Sequence, residues 1–259
     1  GEPRPAFAPG AHRTGQVPGG VRRNYSLCSD PAATGHYQIA VKRDEAGRGG
    51  SVSMADDVQV GQLLSVSWPR NNFGLAERAT DFIFVAGGIG ITPILSMMRH
   101  LKTTGKGSFK LYYCTRDAGS TAFLEHLQSE FPGQVQIHHD NGDMDQALDL
   151  WPVFEKPGAA HVYCCGPRGL MDSVEDMSGH WPSGSVHFES FGVDARAFAE
   201  DKPFDVRLAR TGATVHVSAD QTILEALRGA GLRVPSSCES GTCGSCKTRL
   251  VSGDVELRA

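Results

Sequence analysis

The sequence predicts a multidomain chain in three parts. A β-barrel of short strands fills residues 1–77, and an α/β doubly wound region fills 78–185. Past a connector at 186–203, a small α+β region fills 204–259. Three observations predict this. In the first part, short alternating runs are set among many glycines and prolines. In the second, strand-like and helix-like runs take turns. In the third, a hairpin pattern and a helical run lead into a loop with three cysteines. A length of 259 residues suits two or three domains.

In the barrel, residues 37–42 (Tyr-Gln-Ile-Ala-Val-Lys) and 63–68 (Leu-Leu-Ser-Val-Ser-Trp) alternate as half-buried strands do. In the middle region, 82–86 reads as a strand. Gly87-Gly88-Ile89-Gly90 follows, then a helix over 92–103 with Pro93 near its first turn. Further strands are expected at 109–114, 135–138 and 161–165, with helices at 122–130 and 169–177. Such alternation gives a parallel sheet covered on both faces. In the last part, 204–208 and 214–217 read as a hairpin and 223–229 as a helix.

Composition excludes some classes. Charged residues are 21% and the net charge is −4, which does not suit a nucleic-acid surface. No apolar run approaches the ~18 residues of a membrane span, and no secretory pattern opens the chain. Seven cysteines, three of them clustered, point to metal ligation in a reducing, cytoplasmic setting rather than to a disulfide framework. Cys28, Cys114, Cys164 and Cys165 read as small buried hydrophobes.

The cluster is Cys238-x4-Cys243-x2-Cys246, the spacing of plant-type [2Fe–2S] ligation. Gly241 and Gly244 let the loop close tightly around such a centre. A structural zinc site is the alternative, although zinc ligands usually come as CxxC at both ends. A plant-type site needs a fourth cysteine further on, so that ligand is expected beyond Ala259.

The strand at 82–86 runs through glycines into a helix. Amides at such a helix start suit a pyrophosphate or another anion; a loop that only packs is the alternative. Tyr163-Cys164-Cys165-Gly166-Pro167 ends a strand on the same face of the sheet, where ligands of such folds bind. Asp117 follows the second strand. Its carboxylate can accept from ribose hydroxyls and repel a 2′-phosphate, favouring NADH over NADPH; it can equally be a solvated turn residue.

In the barrel, Arg23 offers a fork of donors for a phosphate. Tyr25 can lie against an isoalloxazine ring, and Ser26 can hydrogen-bond its edge. Gly49, Gly50 and Ser51 can bring backbone amides to a phosphate. Taken singly, each is ordinary strand or turn sequence.

Together the motifs resemble the phthalate dioxygenase reductase family. Arg-x-Tyr-Ser-Leu from Arg23, Gly-Gly-Ser from Gly49, Val-Ala-Gly-Gly-Ile-Gly-Ile-Thr-Pro from Val85, Tyr-Cys-Cys-Gly-Pro from Tyr163, Phe-Glu-Ser-Phe from Phe188 and the cysteine loop occur in family order. The resemblance implies an antiparallel β-barrel flavin domain, an α/β doubly wound NAD domain and an α+β ferredoxin-like (β-grasp) C-terminal domain. It implies FMN rather than FAD, held by Arg23, Tyr25, Ser26, Lys42, Gly49, Gly50 and Ser51. On the NADH side it implies Gly88, Thr92, Thr115, Asp117, Cys165, Gly166 and Pro167. Ser26, Thr92 and Cys165 would stand at the reacting rings, and Phe191 would cover the flavin until nicotinamide displaces it. Cys238, Cys243 and Cys246 would hold the [2Fe–2S] cluster.

The family pattern begins before Gly1, so an early barrel strand is expected to lie outside this sequence. Arg13 and Gly15 also interrupt the alternation that a strand at 11–17 would carry. The expected activity is oxidation of NADH, which yields two electrons as hydride, and delivery to an iron–sulfur centre that takes one at a time. A flavin bridges the two. The expected partner is the terminal Rieske-type oxygenase of an aromatic catabolic system. An aryl O-demethylase of the vanillate type, or another electron acceptor, is the alternative. One rival is an enzyme of the same fold with a haem protein or small molecule as acceptor, for which the sequence offers no motif. Another is a ferredoxin-type carrier or metal-binding module without catalysis, against which the flavin and NADH motifs upstream argue.

Overall fold

The computed structural model describes residues 4–20, 22–47, 49–191, 202–219, 221–232, 234 and 246–255. By internal contacts the chain divides into two units, Gly1–Phe191 and Gly192–Ala259.

The first unit begins with an antiparallel pair, β1 (His12–Gln16) and β2 (Arg22–Ser26), in the register His12↔Ser26 to Gln16↔Arg22. Arg13 and Gly15 do not prevent this pairing, because the ladder is built from backbone groups that every residue but proline offers. Arg13 turns its guanidinium to the Ser67 carbonyl. Of the two expected strands downstream, 63–68 contributes only an isolated bridge, Gly15↔Val66, beside a second one at His12↔Arg70. Residues 37–42 form no strand. Gln38 O accepts from Cys28 N at 2.9 Å, and no ladder follows among the described residues. Alternation marks a face, but a strand also needs a neighbour for its backbone groups. A short helix, α1 (Gly50–Asp56), starts where Gly49–Ser51 read as ordinary strand or turn sequence, with Gly49 at φ 77°.

The doubly wound part follows as expected. Its strands are β3 (Asp81–Gly87), β4 (Ser108–Thr115), β5 (Val135–His139), β6 (His161–Cys165) and β7 (Val186–Glu189). They form one parallel sheet in the order β5-β4-β3-β6-β7. The sequence placed the start of a connector at 186. Instead 186–189 pair with 162–165 as the fifth strand; four residues are too few to announce a strand by pattern alone.

The helices are α2 (Ile91–Thr104), α3 (Leu124–Glu130), α4 (Trp151–Phe154) and α5 (Arg168–Ser178). β3 shows why two layers form. Phe82, Phe84 and Ala86 join the core beneath α2 with Ile94, Leu95 and Met98, while Val85 joins the opposite core with Phe154, Val162 and Val174. Each of these Phe, Leu, Ile, Met and Val side chains contributes about 1.5–3 kcal/mol by leaving water. α2 stops at Gly105, whose φ of 63° suits glycine in a helix terminator.

The second unit holds the hairpin β8 (Phe204–Arg207) and β9 (Thr214–Val217), and α6 (Ile223–Gly229). Thr222 and Glu225 cap α6 reciprocally. Val215, Val217 and Ala226 form its small core.

Candidate functional site

β2 ends at a cleft of about 360 Å³. Arg23, Asn24, Tyr25 and Ser26 form one wall, and Lys42, Gly50 and Ser51 extend it. The facing wall is Ile89 and Thr92, from the glycine turn and the start of α2, and Phe191 also lines the cleft. Parts far apart in sequence therefore meet in one cavity. Its size is near the lower bound for small-molecule sites.

The glycines here have definite work. A Cβ on Gly50 would stand 3.2 Å from both Cγ and Nε of Arg23, so the missing side chain lets the arginine lie across the start of α1. Ser51 Oγ accepts from Asp44 N at 3.1 Å, which pins the 44–51 loop. The buried Tyr25 hydroxyl has no hydrogen-bond partner among the described residues, and burial raises its pKa. An orphaned phenol and a guanidinium in one cleft fit a ligand that has both a polar ring edge and an anionic group. FMN is of that kind. Gly49 precedes this wall, and Phe191 is 48% exposed. Asn24, Ala40, Asp44, Gly47 and Ile89 also line the cleft and were not expected from sequence. Only the proximity of residues flanking the motifs could have revealed them.

The second feature is the seam where β3 and β6 end side by side. This is the switch point of the sheet, with β4 on one side and β7 on the other. A Cβ on Gly90 would sit 2.1 Å from Cys165 O, and one on Gly87 2.5 Å from Pro167 Cδ. Both loops touch through bare backbone. Gly88 takes φ 51°, and its carbonyl accepts from Tyr113 Oη at 2.8 Å. Thr92 is buried and donates to Ile89 O at 3.0 Å.

Thr115 and Asp117 follow β4. Thr115 Oγ1 lies 2.6 Å from Thr121 Oγ1 and 2.9 Å from His139 Nδ1, so its hydroxyl is used within the fold. Asp117 is exposed, and its carboxylate accepts from Ser120 N at 2.7 Å. That bond to the backbone holds its pKa below the usual carboxylate range.

Cys165 is fully buried, and desolvation pushes its thiol far above the ordinary range, as expected of a group that positions rather than attacks. Beside it in register lies Glu189. Burial raises this carboxyl to about 8, and its Oε2 has no partner among the described residues. Sequence reading used the Phe188–Phe191 motif for its last aromatic and passed over this acid. Its neighbour is set by sheet register, which the sequence does not display.

Cys28, Cys114 and Cys164 are free thiols raised by burial to about 11, 11 and 12, in keeping with their reading as small hydrophobes. Of the clustered cysteines, Cys238 and Cys243 lie outside the described residues. Cys246 is a partly buried free thiol. Among the described residues no helix is long and apolar enough to cross a membrane.

Comparison with known proteins agrees with this architecture. Residues 84–176 match the family described as an oxidoreductase NAD-binding domain, and 206–259 match the 2Fe-2S iron-sulfur cluster binding domain. The chain is 62% identical over 98% of its length to the phthalate 4,5-dioxygenase oxygenase reductase subunit of Pseudomonas putida, covering 79% of that protein. It is 40% identical to a vanillate O-demethylase oxidoreductase of a Pseudomonas strain, over 98% of this chain and 81% of that one. A solved phthalate dioxygenase reductase, described as a modular structure for electron transfer from pyridine nucleotides to [2Fe-2S], superposes with a TM-score of 0.85 at 57% identity. The match covers 100% of this chain and 83% of that one.

Proposed function

We propose, for a chain that belongs to the phthalate dioxygenase reductase family, that it oxidises NADH and passes the electrons through FMN and a [2Fe–2S] cluster to a Rieske-type oxygenase acting on phthalate. The single observation that carries this reading is the cleft shared by Tyr25 and Ser26 with Ile89 and Thr92. When bound there, FMN supplies a two-electron acceptor that can release electrons singly.

The chain's own residues divide the remaining work. Arg23, Lys42, Gly49, Gly50 and Ser51 hold the flavin phosphate end, Tyr25 stacks on the ring and Ser26 bonds its edge. Gly88, Gly166 and Pro167 leave room for the pyrophosphate of NADH, and Asp117 receives its ribose hydroxyls beside Thr115. Thr92 and Cys165 orient the nicotinamide, and Phe191 covers the ring site. Glu189 holds a proton near Cys165 at neutral pH. Cys238, Cys243 and Cys246 supply three of the four thiolates that a plant-type cluster needs.

The same reading divides the chain into an antiparallel flavin barrel at 1–77, an NADH domain from 78 through β7 at Glu189, a connecting segment from there to 203 and a β-grasp ferredoxin-like domain at 204–259. Support comes from the β1–β2 pair with its two flanking bridges and from the β8–β9 hairpin with α6. A reducing, cytoplasmic setting suits the free thiols. Reductase of a vanillate-type O-demethylase is the second reading, favoured by the 40% identical relative. Anaerobic titration of purified, FMN-loaded protein with NADH tests the proposal. Flavin absorbance should bleach, and FMN should be released on denaturation. Released FAD, or no bleaching by NADH, would refute it. Coupling to phthalate or vanillate oxygenase components then separates the two readings.

A further inference from the structure

The two walls of the cleft come from different parts of the first unit, so the seam that docks those parts governs the cleft's width. Arg99 stands on that seam. It lies on α2 seven residues after Thr92, nearly two full turns, which places both on one helix face about 10 Å apart. From there its Nη1 donates to Cys28 O at 2.8 Å and to Gln38 Oε1 at 3.2 Å. Its Nε and Nη2 fork onto the Glu130 carboxylate, with the Nη2 bond at 3.0 Å. Cys28 is two residues past Ser26, a reach of at most about 7 Å. One helix therefore presents Thr92 to the cleft on its first turn and grips the exit of the opposite wall two turns later.

Around it the seam carries single hydrogen bonds, Thr103 Oγ1 to the Asp30 carboxylate and Tyr163 Oη to Gly74 O, and otherwise apolar packing. Cys28 and Phe73 pack into the same core as Met97 and Met98. Such burial holds parts together without specifying direction. Charged, forked hydrogen bonds do specify it. The Arg99 and Glu130 side chains are only 14% and 27% exposed, so solvent screens the pair weakly.

We infer that Arg99 is a positioning residue for hydride transfer, its fork between Glu130 and the Cys28 carbonyl setting the separation of Ser26 from Thr92. The inference rests on the function proposed above, and the wild-type protein separates the two. If FMN-loaded wild type is not bleached by NADH, the functional proposal falls and this inference with it. With bleaching established, Arg99→Gln should lower its rate constant at saturating NADH on the order of 10- to 100-fold, the scale of a small misalignment of reacting groups. FMN content should stay stoichiometric, and the half-saturating NADH concentration should change less than about two-fold, since alignment and not ground-state binding is lost. Arg99→Lys, which keeps the charge without the fork, should fall between. In the apoprotein of Arg99→Gln, amides around 28–38 should exchange hydrogen faster while those of β3 and β4 do not. Wild-type bleaching by a folded, FMN-replete variant would overturn the inference. So would a rate that falls only in proportion to lost FMN. Should Arg99→Gln not fold, Glu130→Gln loosens the same fork and carries the same comparison.

Discussion

A Cβ built on Gly166 would stand 2.9 Å from the Cα of Gly87, so these two residues meet backbone to backbone where β6 and β3 end. The two nearest atoms are backbone, which cannot yield as the Leu170 side chain at 3.1 Å could. Gly166→Ala should therefore push the two loops apart and cost about 1–3 kcal/mol, the usual scale of overpacking. A lowered melting temperature together with weaker NADH binding is the expected result. A variant that melts and binds as wild type would show that the loops can part freely.

Tyr25→Phe removes a buried hydroxyl that has no partner among the described residues. The apoprotein should be as stable as wild type or more so, because an unsatisfied buried group is a cost. FMN affinity should fall roughly 5- to 10-fold, about 1 kcal/mol, if that hydroxyl meets the flavin. Fluorescence titration of the apoprotein with FMN, beside thermal melts, checks both halves.

Glu189 is raised from 4.5 to about 8 by burial. The folded state thus holds a proton that the unfolded chain has released. Its contribution to stability is complete below pH 4.5 and is lost as pH rises through about 8. Glu189→Gln should flatten denaturant midpoints across that window. His12 and His187 act in the opposite sense, since burial lowers both from 6.5 and their share of stability is lost as pH falls below that value. Should wild type and Glu189→Gln show parallel pH curves, the buried acid is not protonated at neutrality.

Asp117 holds its turn through Ser120 N and faces solvent. Asp117→Ser keeps a small polar side chain there and removes the charge. The preference for NADH over NADPH should shrink on the order of 10-fold in kcat/KM, mainly through faster use of NADPH. An unchanged ratio would leave Asp117 as a turn residue alone.

Cys243→Ala removes one of the clustered thiolates. Iron–sulfur absorbance and coupling to an oxygenase should be lost, while NADH still bleaches the flavin and ferricyanide reduction survives. Loss of flavin reduction in a folded variant would contradict a serial path from NADH through flavin to cluster.

Much of this was legible beforehand. The 2-residue period of Phe82, Phe84 and Ala86, the glycines after them and the cysteine spacing are local patterns. Local patterns reflect local rules: which face is buried, where a helix can start, which thiolates can share a centre. By itself, then, the sequence determined the element types of the doubly wound part and its parallel topology, and it sets three cysteines at [2Fe–2S] spacing. Other features depend on which backbones are brought alongside one another. Residues 37–42 carry a strand's alternation but find no ladder, and 186–189 carry little pattern yet complete the sheet because β6 offers an edge. Glu189 acquires its raised pKa only when that pairing brings it into the sheet and buries it. Arg99 acquires its role only when α2 packs over Cys28. Tertiary structure decided these, because register, burial and the approach of distant segments follow from packing summed over the whole unit, which no short window of residues contains.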